Sequence, residues 1–174
     1  MQATRDFWTI ASVGVLFSLL TLIAERPVAL VGTIGIGPWL LATAWTATRT
    51  FHRLNETVAV EYTIDTPTAQ VGSTATGTLR VTRPAAAATV PIQVSVTLPP
   101  GIHCSSDTAQ SVTLAAGETT ATTVITMETS VAGEFDLPAP TVKMTDASAL
   151  YTETVHRQAD TQLTVLPPEP TVHV

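Results

Sequence analysis

Two uncharged apolar runs, separated only by Glu25-Arg26-Pro27, constrain this chain more than any other feature. The first extends from Phe7 to Ala24 and takes its bulk from Leu, Ile, Val and Phe; the second extends from Val28 to Thr48. At ~1.5 Å per helical residue, each approaches the ~30 Å of a hydrocarbon layer. So short a connection forces the two segments antiparallel, with Pro27 where a first helical turn tolerates a missing N–H. The expectation is a transmembrane helical hairpin over residues 1–53, with spans at about 7–24 and 28–48. Gly14, Ser18, Gly32, Gly35 and Gly37 suit close helix packing. Thr43, Thr46 and Thr48 can bond back to the helix, and Trp8 and Trp45 fit one interfacial belt. The alternatives are a buried soluble helix pair and a cleaved signal peptide. Against cleavage stand a charge-poor start, Arg5 offset by Asp6, and the bulky Leu22-Ile23 before Ala24.

Charge divides the chain at the same place. Residues 1–53 hold four Arg against Asp6 and Glu25, a sum of +2, whereas residues 54–174 hold four cations against twelve acids, a sum of −8. Arg5, Arg49 and Arg53 flank the runs on their terminal side and Arg26 alone lies in the connection. The positive-inside rule therefore predicts a multi-pass protein in the cell membrane with the rest of the chain on the cytoplasmic side. With seven Arg, one Lys and no basic cluster, nucleic-acid binding is not expected. A single cysteine excludes an intramolecular disulfide and any zinc site built from several thiolates of one chain.

Beyond Leu54 the period changes to two. Val58, Val60, Tyr62 and Ile64 alternate with polar or small residues, as do Val90, Ile92, Val94, Val96 and Leu98. Further strands are expected at 74–82, 111–114, 119–127, 134–137, 141–145, 150–156 and 161–166. Between them stand turn formers such as Gly72, Pro99-Pro100-Gly101, Gly117 and Gly133. Pro84 with Ala85–Ala88 reads as a loop or bulge. The pattern predicts a mainly β fold: an immunoglobulin-like β-sandwich of seven to nine antiparallel strands over residues 54–167, with a barrel as the other closure. The Pro-rich segment 168–174 reads as an extended exit leading to further sequence.

The order of these features resembles the N-terminal membrane and β-sandwich region of the domain-of-unknown-function 58 family, in its form from salt-loving archaea. The residues that carry the likeness are Arg5, Phe7 and Trp8, Glu25-Arg26-Pro27, and the run from Gly35 to Ala42. They continue with Gly117-Glu118-Thr119, the run from Val131 to Pro138, Asp146, Leu150-Tyr151 and the run from Val165 to Pro170. Ala149 departs from the pattern, which has Gly before Leu150-Tyr151. The resemblance implies an anchor and spacer ahead of a von Willebrand factor A-like domain, partnered by a MoxR-type AAA ATPase. The family's metal signature belongs to that further domain and transfers to no residue here.

Candidate chemistry is sparse. His103-Cys104 is the one adjacent pair of soft ligands, and His52, His156 and His173 show no ligand spacing. Cys104 as a nucleophile would need a base and an orienting group that the sequence does not announce. Glu134 and Asp136 alternate on one strand face, and Asp107, Asp146 and Asp160 sit in or near turns, without forming a calcium loop. Gly32, Gly35 and Gly37 lie inside an apolar run, not between strand and helix, so they form no phosphate cradle. Asn55-Glu56-Thr57 is the one N-glycosylation sequon and is treated as a chance match, given how common Ser and Thr are. No catalytic, cofactor-binding or metal-ligating residue is assigned, and no cofactor or small-molecule substrate is expected. The acidic balance suits high salt. The expected function is a non-enzymatic, membrane-anchored interaction or scaffold module that binds membrane lipid and a protein partner. The alternative is a surface-exposed adhesion or envelope structural protein with the sandwich outside the cell, and a hydrolase using Cys104 ranks last.

Overall fold

The computed structural model describes residues 1–24, 28–105, 110–158 and 161–168; side chains at 21, 22, 24 and 28–34 lie outside that description. The connection 25–27, Asp107, Asp160 and the exit from 169 onward fall outside it as well. The chain opens with a two-residue strand β1 (Gln2–Ala3), then helices α1 (Arg5–Ala24) and α2 (Val28–Thr57). Strands follow as β2 (Ala59–Ile64), β3 (Thr68–Gln70), β4 (Thr74–Thr82), β5 (Ile92–Ser95), β6 (Ile102–Cys104) and β7 (Ser111–Leu114). The last five are β8 (Thr120–Thr129), β9 (Gly133–Leu137), β10 (Thr141–Thr145), β11 (Tyr151–His156) and β12 (Thr161–Leu166).

The fold is mainly β and sandwich-like. One sheet runs β1-β11-β10-β5-β7, a second β2-β4-β8-β6, and a three-stranded sheet β3-β12-β9 completes the enclosure. The alternation read from the sequence sets the registers. In the β2/β4 pair Tyr62 opposes Leu79 and Val60 opposes Val81; in β4/β8 Leu79 opposes Thr123 and Ala75 opposes Met127. Leu79, Val81, Ile92, Val94, Ile125, Met127 and Leu163 are almost fully buried in one shared core. β12 pairs in parallel with β3, so the expectation of an all-antiparallel sandwich is corrected there. Gly77 on β4 is required by close approach: a Cβ there would lie 3.2 Å from the Thr63 carbonyl and 3.3 Å from the Tyr62 ring.

The expected transmembrane hairpin is corrected too. Two helices form and α1 packs on α2, with Gly14 placing its Cβ position 3.4 Å from Ile36 Cγ2. Yet among the described residues no helix is long and apolar enough to cross a membrane. Helix α2 carries Pro38 in its interior and Arg49, Arg53 and Glu56 in its last third. The multi-pass placement and cytoplasmic orientation rested on those spans and are withdrawn with them. Helix α2, moreover, does not end at the boundary expected near residue 53. It runs on to Thr57 and buries Ala47, Phe51 and Leu54 in the same core as the strands.

Candidate functional site

A set of specific contacts joins the helices to the sandwich. Thr4 stands between β1 and α1, and its position is fixed from two sides. Its backbone N–H donates to Leu150 O at 2.9 Å, and its hydroxyl reaches Ala149 O at 2.8 Å. The same hydroxyl oxygen accepts the Phe7 N–H at 3.5 Å, the contact an N-cap threonine makes with its third helical residue. Phe7 then packs against Tyr151, ring centroids 5.4 Å apart. Along α2, the Tyr151 hydroxyl donates to Leu40 O at 3.3 Å, and the Arg157 guanidinium donates to Asn55 O. Tyr151 begins β11 and Arg157 immediately follows it, so α2 is tied to both ends of one strand.

Asp146 organises the turn beneath this junction. Its carboxylate accepts the Tyr151 N–H at 2.7 Å, the Ser148 N–H at 3.0 Å and the Ser148 hydroxyl. Ala149 is thereby held at φ 57°, in the left-handed region. The turn acid read from the sequence is thus buried and structural rather than a surface ligand. Arg83, which sequence reading passed over, does similar work nearby. It is only 4% exposed, and its guanidinium donates to Glu118 O at 2.8 Å, to Ala115 O at 2.5 Å and to Val90 O. Burial lowers its pKa, against the opposing pull of Glu118. An arginine followed by proline at a strand end offered no signal that it would tie three loops together.

The residues singled out for chemistry scatter. His103 and Cys104 are neighbours on β6, and adjacent strand residues face opposite sides of a sheet. His103 is exposed while Cys104 is half-buried near Tyr62, so the sequence pair is not a spatial dyad. Tyr62 is pushed up to about 12 by burial, with a smaller contribution from Cys104, and its hydroxyl donates to Met127 Sδ at 3.7 Å. His52 contacts Glu56 at 3.5 Å on the exposed side of α2, and His156 Nδ1 lies 3.2 Å from Thr141 Oγ1. Asp136 accepts from Gln162 Nε2 at 2.8 Å across β9 and β12, and exposed Glu134 lies on the same strand. His173, Asp107 and Asp160 fall outside the described residues. Among the described residues no three His, Cys, Asp or Glu come together as metal ligands.

The helix residues behave in part as their types predict. Thr43, Thr46 and Thr48 donate to carbonyls three or four residues back at 2.8–2.9 Å. Trp8, Trp39 and Trp45 are exposed, with the Arg49 guanidinium 3.7 Å from the Trp45 ring centroid. Asn55 is half-buried within α2, with its Oδ1 buried and unbonded, and a sequon held in a helix is a poor glycosylation acceptor. A groove of about 310 Å³ runs between α2 and the short 3-10 turn Ala85–Ala87, lined by Thr50, Arg53, Leu54 and Pro84.

No protein-family model matches this chain, and no curated protein matches it. Among solved structures, the chain is similar to the crystal structure of BcpA, the major pilin subunit of Bacillus cereus, with a TM-score of 0.47 and 10% sequence identity. That alignment covers 63% of this chain and 40% of the other, so this chain spans well under half of the pilin's length.

Proposed function

We propose that this chain is a non-enzymatic structural and interaction module: an immunoglobulin-like sandwich on the outside of the cell, held at a fixed angle to its helical hairpin. The observation that carries this reading is the shared core at the junction. Phe51 and Leu54 of α2 are each 1% exposed among the strand side chains. With both ends of β11 bonded to α2, the hairpin is a strut rather than a tether, because rotating it would open the core. Such a part transmits position and force and leaves its solvent-facing strands free for a protein partner. The cytoplasmic placement, the first reading of the sequence, depended on two membrane spans and is withdrawn with them; the surface-exposed adhesion or envelope role, its alternative, is the one taken up here. The resemblance to the domain-of-unknown-function 58 family adds a partner class: a von Willebrand factor A-like domain.

Lys143 provides the test, because it is exposed on β10 and is the chain's single lysine. A membrane-impermeant amine reagent applied to intact cells should modify the Lys143 peptide, and Lys143→Arg should abolish that modification. Modification that appears only after lysis would overturn the external placement.

A further inference from the structure

We infer that the apolar surface of the helical hairpin is covered by the hairpin of a second copy of this chain, giving a two-fold four-helix bundle. Of the fifteen large apolar side chains exposed among the described residues, eleven lie on α1 and α2. They include Trp8 (63%), Leu16, Leu20, Ile23 (81%), Leu41 (74%) and Trp45. Aromatic side chains carry ~150–250 Å² each, so the whole set exposes on the order of 1,000 Å². A soluble monomer's largest apolar patch is typically ~300–600 Å², whereas a stable dimer buries about 800 Å² per partner. The patch therefore exceeds what a monomer leaves bare and matches what a dimer needs.

Its shape also selects the occupant. Apolar side chains spread over about half of the α1 circumference, away from α2, rather than along one narrow stripe, so a flat partner would leave part of them wet. Two hairpins side by side enclose them in the antiparallel geometry of a helix bundle, with the isologous contact typical of two-fold dimers. Gly35 and Gly37 permit the close approach, since nothing lies within 4 Å of where their Cβ atoms would stand. A bilayer would need a helix long enough to cross it, and none is present among the described residues. The two sandwiches, each summing to −8 over residues 54–174, repel one another. Salt screens that repulsion and strengthens burial, so association should tighten as ionic strength rises.

The test is the mass of the full chain in detergent-free buffer by light scattering and sedimentation equilibrium, at low and at high salt. The expected result is twice the 18.3 kDa chain mass, with association about tenfold tighter at high salt. Combined Leu20→Gln, Leu41→Gln and Trp45→Gln should weaken it at least about a hundredfold, as losing three buried apolar groups requires. Val124→Gln, on the exposed sandwich surface, should leave it unchanged. Should the triple variant misfold by circular dichroism, Leu41→Cys in a Cys104→Ser background supplies the readout. A bismaleimide should then cross-link two copies, and Val124→Cys should not be cross-linked. A single-copy mass in buffer, one copy per detergent micelle or lipid vesicle without cross-linking, or polydisperse aggregate would each overturn the inference.

Discussion

Tyr62 and Ala149 show how single positions carry costs that their neighbours absorb. The Tyr62 phenol is 7% exposed, and its pKa rises from 10.0 to about 12 because the phenolate would be desolvated among apolar side chains. In the unfolded chain the same group ionises near 10. The folded state therefore holds its proton more tightly, and the stabilisation is complete below pH 10 and lost as pH rises through 12. Denaturant titrations at pH 9 and near pH 12 should show a loss on the order of 2 kcal/mol from this group, and Tyr62→Phe should remove most of that dependence. An unchanged slope in Tyr62→Phe would assign the alkaline loss elsewhere. Ala149 carries a different cost: a Cβ at φ 57° is strained by roughly 1–2 kcal/mol, and the strain is held in place by the Asp146 carboxylate. Glycine would relieve it while gaining about 0.5–1 kcal/mol of unfolded-state entropy to lose. The net expectation for Ala149→Gly is a stabilisation of about 0.5 kcal/mol, read as a small rise in melting temperature. A fall would mean that the Ala149 methyl makes contacts that outweigh its backbone strain.

At the scale of elements, α2 has two parts with different neighbours. Up to about Leu41 its side chains are largely exposed or outside the description, while Ala47, Phe51 and Leu54 face the strands. Phe51→Ala should cost about 3–5 kcal/mol, the usual penalty for emptying an aromatic core site. Because β4 and β8 pair along their whole length without help from α2, the loss should concentrate at the junction. Hydrogen exchange should speed up in 44–57 and 150–156 before it does in 74–82; uniform acceleration would show that the helix and the sandwich unfold as one unit. Much of this element layout is legible in the sequence, since period two marks 74–82, 111–114, 141–145 and 161–166 at the observed bounds. The misses share a cause. β1, β3 and β6 are two or three residues long, too short for alternation to show, and their pairing is set by partners far along the chain. The strand read over 90–98 is observed only at 92–95, because Val90 and Val96 are buried as core residues beyond the ladder. The junction was not legible for the same reason: nothing local to Asn55, Tyr151 or Arg157 announces that they meet.

For the whole molecule, the decisive quantity is the excess of acids over cations. The sandwich region sums to −8, and the ion pair among the described residues that involves one of its acids is His52 with Glu56, both side chains largely exposed. Glu61 and Arg80 oppose each other across β2 and β4, the favourable cross-strand arrangement. Glu134, Asp136 and Glu153 have no cation opposite them in register. Exposed like charges of this density repel over about 10 Å at 0.1 M salt and about 3 Å at 1 M. Folding brings them closer together than the unfolded chain does, so repulsion is a cost that salt removes. The melting temperature should therefore rise steadily between about 0.1 and 2 M NaCl, by more than the general effect of salt on an uncharged core. Replacing Glu134 and Asp136 by Gln and Asn separates the two contributions, since the neutralised strand should melt higher at low salt and gain less from added salt. An identical salt response in that variant would show that the acidic surface is already well solvated and that the salt effect comes from apolar burial alone.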